Sequence, residues 1–412
     1  MTIGEVHRRY LALMGLRWFP TGLLIPVLAL LPLDRGLSVA QLGLVTAVQG
    51  WVVFAMELPT GGFADSLGRR PVLVTAAGLS LVSLFLLFMA HSMAMFAAAY
   101  AVQGLFRALD SGPLEAWYVD AVRKDNPSAE IARGLSGGSA ILGLAVGMGA
   151  IVAGGLVALD PFPGVEALAL PVLAAGLVQV VGLVSVIAWV VEDRPDGPRR
   201  YLNQAVRGVL PVIRTSIALL RRSRVLVALV SVELFWGFGM VTFETLFPVR
   251  LAEVGDGTQD AAAVMGPTTA AAWGVSALGA VLAPVLARRM GAPMAAGALR
   301  IVQGVTVSGM GLFAGPIGLI GALLATYVVH GASNPLHMTL LHDQVESAHR
   351  ATVIGLNSMV AQPAGAVGVM VLTALAGGTS LSTAFLAGGV VLAMGAPFYL
   401  PAHRATRGGR AA

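Results

Sequence analysis

The chain contains no cysteine among its 412 residues, which excludes disulfides, thiolate nucleophiles and cysteine-ligated metal centres. Charge is almost as scarce. Asp, Glu, Lys and Arg make up 11% of the sequence, where a soluble chain carries about a quarter, so water is not the solvent for most of the surface. No nucleotide-binding fingerprint and no His-Glu-x-x-His helix occurs, and no nucleophile converges with an acid–base pair. No enzymatic activity and no cofactor are expected, and the energy source expected for any uphill work is a proton gradient.

The sequence is instead 57% hydrophobic, with a mean hydropathy of +0.81. Apolar runs of membrane-spanning length recur throughout: 10–32, 40–62, 71–91, 94–119, 136–158, 167–191, 225–249, 262–287, 293–314, 316–340, 351–376 and 381–401. The first run follows Arg8 and Arg9 like a secretory signal, but it is too long for one and contains Arg17. Six runs precede the polar stretch Glu192 to Arg224 and six follow it. This predicts an all-α polytopic membrane protein with 12 transmembrane helices in two pseudo-symmetric bundles, 1–191 and 225–412, joined by a cytoplasmic linker over 192–224.

In that linker Leu202, Val206, Val209, Leu210, Ile213, Ile217 and Leu220 keep helical spacing while Arg200, Arg207, Arg214 and Arg221 recur every seven residues. The pattern predicts a basic amphipathic helix on the membrane interface, kinked at Pro211. A shift of 217 residues lays Arg133-Gly-Leu-Ser-Gly-Gly-Ser on Arg350-Ala-Thr-Val-Ile-Gly-Leu, and both lead into small-residue helices. Weak similarity between six-span halves indicates parallel repeats with a substrate site between them.

A net charge of +5 and a pI near 10.1 resemble those of a nucleic-acid binder, but the charges alternate loop by loop. Of the 26 basic residues, 21 fall in loops on one side and only Arg35 and Arg250 on the other. The positive-inside rule then puts both termini in the cytoplasm. Nucleic acid is not expected as a partner; a lipid bilayer and a small-molecule substrate are, for a monomer in the inner (plasma) membrane.

Between spans two and three stands Gly61-Gly-Phe-Ala-Asp65-Ser-Leu-Gly68-Arg69-Arg70, which resembles the signature loop of the major facilitator superfamily: glycine, three residues, aspartate, two residues, glycine, two basic residues. The resemblance implies a cytoplasmic gate built on Gly61, Asp65, Gly68, Arg69 and Arg70, with Asp120 as a further member and Glu57 on the same face as Gly61 and Asp65. Ser66 departs from the basic residue often found in that position, and only a degraded copy, Arg288-Arg-Met-Gly291, occurs in the second half. Glu57-Leu-Pro-Thr-Gly61 and Asp110-Ser-Gly-Pro-Leu-Glu-Ala-Trp-Tyr-Val-Asp120 are similar to the twelve-helix drug:proton antiporter branch. The antiporter signature of span five is half present, with Gly138, Gly147, Gly154 and Gly155 but no proline.

Ionisable groups at the bilayer centre cost roughly 2.5–3.5 kcal/mol each on insertion scales, so each demands a role. The resemblance implies that spans one, four, seven and ten line a central cavity, and these carry Arg17, Arg107 with Asp110, Glu233, and His330 with Asn334 and His337. Arg17 and Glu233 are 216 residues apart, at matching depths. They are expected to pair, either as a structural bridge or as a proton-exchanging one. Arg107 and Asp110 share a helix face, either as a neutralising pair or as a proton switch. His330, Asn334 and His337 lie at i, i+4 and i+7 without the further ligand a metal needs, so no metal is expected there. Glu244 and Arg250 form an expected outer pair. Trp18, Phe235, Trp236, Phe238 and Tyr327 offer an aromatic surface suited to lipophilic cations.

The expected function is proton-coupled export of small organic compounds or drugs by alternating access. The alternative is a narrow-specificity metabolite transporter of the same fold. A receptor or channel, from a different class, lacks both a soluble output domain and a selectivity-loop pattern.

Overall fold

The structure is a computed structural model that describes residues 2–124, 128–192, 218–221, 223–346 and 350–408, apart from the side chains of 58–66, 350–352, 407 and 408. The described residues form helices joined by short turns. In chain order the helices are α1 Ile3–Leu24, α2 Leu30–Asp34, α3 Val39–Leu67, α4 Arg69–Met89, α5 Met93–Asp110, α6 Pro113–Arg123, α7 Ala132–Leu159 and α8 Leu170–Trp189. After the linker come α9 Arg224–Val241, α10 Phe247–Val254, α11 Thr258–Met290, α12 Ala292–Leu312, α13 Pro316–His342, α14 Arg350–Gly378, α15 Leu381–Met394 and α16 Leu400–Gly408. The amphipathic helix expected over 192–224 lies almost wholly outside the described residues.

Helix starts follow local chemistry. The hydroxyls of Ser92, Ser223 and Ser380 accept from the backbone N–H groups of Met95, Leu226 and Thr383, satisfying donors that the first turn leaves open. Proline occupies the first turn of α6, α8, α12 and α13, where no N–H is needed. On the helix surfaces the usual polarity is reversed: Phe85, Leu144, Leu177, Val281 and Ile317 are exposed, as lipid-facing residues are.

Among the described residues, nine helices or helix runs are long and apolar enough to cross a membrane. The three expected spans outside this set are the polar ones. Span 10–32 is α1 with α2, broken over residues 25–29; span 94–119 is α5 with α6, broken at Ser111 and Gly112; span 293–314 is α12, which carries Arg300 and Gln303. Span seven is interrupted as well, by a π-helical segment Thr242–Leu246 between α9 and α10, and such segments concentrate at functional sites.

The chain divides into two compact units, Met1–Gly36 with Val52–Val209 and Thr258–Ala270, and Leu37–Trp51 with Leu210–Gly257 and Ala271–Ala412. Each unit takes in one helix end from the other part of the sequence. The first residues of α3 join the second unit because Gly43 packs on α14 so closely that a Cβ there would run into the Thr373 side chain. The first residues of α11 join the first unit, where Thr258 donates to Asp34 at 2.7 Å. In the first unit a core of Tyr10, Leu13, Met14, Leu114, Trp117 and Tyr118 holds α1 against α6. In the second unit Leu229, Val232, Ala296, Leu336, Leu340 and Tyr399 hold α9, α12 and α13 together.

Arg35 and Arg250, the two basic residues set apart from the charge bias, have matching jobs. Arg35 Nη1 donates to the carbonyls of Leu87, Phe88 and Ala90 at 3.2, 3.0 and 2.7 Å, at the end of α4, and the guanidinium pairs with Glu166 at 2.7 Å. Arg250 Nη2 donates to the Phe313 carbonyl at 3.2 Å, at the end of α12, and pairs with Glu253. Each guanidinium thus serves the negative end of a helix.

Candidate functional site

In the first unit, the break at Ser111 and Gly112 leaves the last carbonyls of α5 without helical partners, and Arg17 reaches across from α1 to them. Its Nη2 donates to the Asp110 carbonyl at 2.6 Å and its Nε to Asp110 Oδ2 at 2.5 Å. Nη1 meets Glu115 Oε1, in the first turn of α6, at 3.1 Å. The Trp18 ring lies 5.2 Å from the guanidinium carbon, a cation–π distance. One arginine therefore ties both pieces of the broken span to α1. Two expected pairings are corrected here. Asp110 belongs to Arg17 and not to Arg107, whose side chain is exposed. Arg17 is matched by two carboxylates of its own unit and Glu233 by His337 of its own, where equal depth along the chain had suggested that the two pair with each other.

In the second unit, Glu233 on α9 is 5% exposed and His337 on α13 is 1% exposed. His337 Nε2 lies 3.1 Å from Glu233 Oε1 and 3.3 Å from Asn357 Oδ1. Both neighbours are acceptors, so Nε2 carries a hydrogen and donates it. On the other side of the ring, Nδ1 stands 2.9 Å from the Tyr399 hydroxyl. When the imidazole is neutral the hydroxyl donates to Nδ1; when it is charged, Nδ1–H donates to the hydroxyl oxygen. The Tyr399 hydroxyl can thus meet Nδ1 either as donor or as acceptor. Asn357 also reaches the Glu233 carboxylate, and Arg300 on α12 hydrogen-bonds the Tyr399 hydroxyl and acts on Glu233 electrostatically.

The other span-ten residues behave differently from His337. The His330 ring stacks on Trp236 with centroids 5.8 Å apart and planes 13° apart, and Phe243 and Tyr327 meet it at 6.2 and 6.3 Å. Asn334 is exposed. The three residues of the i, i+4, i+7 pattern are thus an aromatic-cluster member, an exposed amide and a buried ion-pair member. Of the other expected aromatic residues, Phe235 packs on Phe398 with centroids 5.0 Å apart.

At the signature loop, only Gly68 separates α3 from α4. Its φ of +92° with ψ of 158° is a conformation essentially confined to glycine, and an added Cβ would stand 2.6 Å from Glu192 Oε2. That carboxylate lies there because it caps α4, accepting from the N–H groups of Arg69 and Arg70 at 2.8 and 3.0 Å. Arg70 returns the contact by donating to the Ile187 carbonyl of α8 at 2.8 Å. Trp117 Nε1 and Arg9 add bonds to the carbonyls of Val191 and Trp189, both 3.2 Å. Arg69 Nε stands 3.6 Å from Asp120 Oδ2. Glu57 lies half-buried on α3, and α3 continues through Gly61 and Asp65, whose surroundings lie outside the described side chains.

Sequence reasoning passed over Glu115, Glu192, Arg300, Gln303, Asn357 and Tyr399. Arg300 had a signal, a charge within a span. Asn357 and Tyr399 had none, because an uncharged residue in an apolar run acquires meaning only from its neighbour.

The described residues are thus largely long apolar helices, several of the expected spans interrupted, with ion pairs buried between them. The chain belongs to the Major Facilitator Superfamily, whose family profile matches residues 11–369. No curated protein sequence gives a significant match. Among solved structures, the nucleoside transporter NupG superposes with a TM-score of 0.75 at 14% identity, covering 96% of this chain and 98% of that one. A bacterial homologue of the human lysosomal transporter Spinster, in an inward-facing and occupied conformation, gives 0.77 at 16% identity over 97% of both chains. A POT family transporter in complex with a thioalcohol-conjugated peptide gives 0.68 at 15% identity over 97% of this chain and 95% of that one. At these identities the likeness is one of fold.

Proposed function

We propose that the protein is a proton-coupled secondary transporter that exports small organic compounds by alternating access, with the Glu233–His337 pair as its proton-carrying element. The observation that carries this reading is the pair itself: an acid and an imidazole 3.1 Å apart, nearly excluded from solvent, with a hydroxyl on the far side of the ring that accommodates either protonation state. A buried ionisable pair in a membrane bundle is an expensive feature that function retains. Arg17 with Asp110 and Glu115 plays the structural part in the first half, fastening a broken span. Arg69, Arg70, Gly68 and Asp120 act with Glu57, Gly61 and Asp65 as the cytoplasmic gate, and Glu192 positions it. The protein works as a monomer in the plasma membrane with both termini cytoplasmic, on a proton gradient and without a cofactor.

The second reading, a narrow-specificity metabolite transporter, draws support from one neighbour described as a nucleoside transporter and another, a POT family transporter, solved in complex with a thioalcohol-conjugated peptide. Counterflow in proteoliposomes separates the two. Exchange of many lipophilic compounds favours drug export, and exchange confined to one class of polar metabolite favours the alternative.

A further inference from the structure

Helices α12 and α13 run antiparallel in the second unit, and a bond between Thr326 Oγ1 and Thr306 Oγ1 at 2.8 Å sets their register. Each helix advances 1.5 Å per residue in opposite senses, so one turn along the seam Gln303 comes level with His330, and a turn further Arg300 comes level with Ser333. Arg300 is within electrostatic reach of His330 and Glu233, and its Nη1 donates to Gln303 Oε1 at 2.8 Å. For such polar groups the burial is extreme: Arg300 is 3% exposed, Gln303 and Ser333 0%.

Along this seam Arg300 Nε, Gln303 Nε2, Ser333 Oγ and His330 Nδ1 are buried without a protein partner, as is Trp236 Nε1 in the ring stacked on His330. Three of these atoms can only donate and the other two are able to. The missing group is therefore an acceptor. Charge points the same way. No ion pair of the described residues gives Arg300 a carboxylate, Glu233 being held by His337; its hydrogen-bond partners Gln303 and Tyr399 are neutral, and a guanidinium left without a counter-charge in an apolar interior is costly. We propose that Arg300, Gln303 and Ser333 form a binding site for a small monovalent anion of halide or formate size, inside the second unit. The guanidinium supplies the charge, while the amide, the hydroxyl and the His330 ring supply neutral donors that shape the site. The site adjoins the Glu233–His337 pair through Tyr399 but does not depend on the proton-coupling reading.

The test is thermal unfolding of the purified full chain in detergent, with sodium chloride replaced stepwise by sodium gluconate at constant ionic strength. Sodium bromide and sodium formate serve as further probes. A saturable rise in Tm of a few degrees with chloride, bromide and formate is expected, since a ligand that binds only the folded state stabilises it. The rise is expected to disappear in Arg300→Gln and to shrink in Ser333→Ala, and to persist in Glu233→Gln. If Arg300→Gln does not fold, Ser333→Ala and an anomalous bromide peak beside Arg300 in crystals of the wild type decide the matter. Equal Tm in chloride and gluconate, a rise unchanged in Ser333→Ala, or no bromide peak beside Arg300 overturns the proposal.

Discussion

Glu233 on α9 and His337 on α13 meet at 3.1 Å, so the first and fourth spans of the second half are joined by a buried acid and base. In the first half the same two spans are joined by Arg17 and Asp110 at 2.5 Å, with the base now on the first span. The polarity of the cross-link is inverted between the halves, and so is its chemistry. Arginine stays protonated at any working pH, whereas imidazole and carboxylate exchange protons. One half is fastened permanently and the other is fastened through a titratable pair.

Removing one member of the permanent pair strands the other. Arg17→Gln or Asp110→Asn is expected to destabilise the protein by about 3–5 kcal/mol, read as lost thermal stability and yield in detergent. The double variant is expected to be more stable than the summed effects predict by roughly 1–3 kcal/mol. Strict additivity would show that the two side chains act independently.

Arg35 and Arg250 give a matched pair of tests. Arg35→Ala and Arg250→Ala each leave helix-end carbonyls without a donor and are expected to cost about 1–3 kcal/mol each. Because each serves a different unit, the double variant is expected to be additive within about 0.5 kcal/mol. A strong coupling between them in thermal unfolding would contradict the assignment of separate caps.

Gly68→Ala combines backbone strain of about 1–3 kcal/mol with a clash against Glu192. Substituting Glu192→Ala as well removes the clash but leaves the strain and uncaps α4. The double variant is therefore expected to remain clearly less stable than wild type. Full recovery of Tm in the double variant would show that Gly68 is required only for space.

Much of this was legible in the sequence. Long apolar runs expose the spans, and a charge inside such a run is conspicuous, so Arg17, Asp110, Glu233 and His337 stand out before any coordinates. Pairing was not legible. Sequence distance gives depth along a helix but not the direction a side chain faces, and so it put Arg17 opposite Glu233 at equal depth while the structure gives each a partner in its own unit. Helix breaks were hidden too. Ser111 and Gly112 sit in an apolar stretch, and only the break explains why Arg17 must satisfy the Asp110 carbonyl. Glu192 reads as the first residue of a linker, and its role as a cap on α4 depends on the end of α8 arriving beside Gly68. Arg35 and Arg250, the exceptions to the charge bias, become intelligible once the helix ends beside them are known.

The most direct measurement uses purified protein in proteoliposomes with an imposed pH gradient and a reporter of internal pH. Lipophilic cations, neutral drugs and polar metabolites are added in turn to wild type and to Glu233→Gln. Substrate-evoked proton movement in wild type that vanishes in Glu233→Gln, with substrate counterflow retained, is the result expected if the Glu233–His337 pair carries the proton. Transport without proton movement in wild type, or proton movement undiminished in Glu233→Gln, would contradict it and leave the pair a structural fastening like its counterpart in the first half.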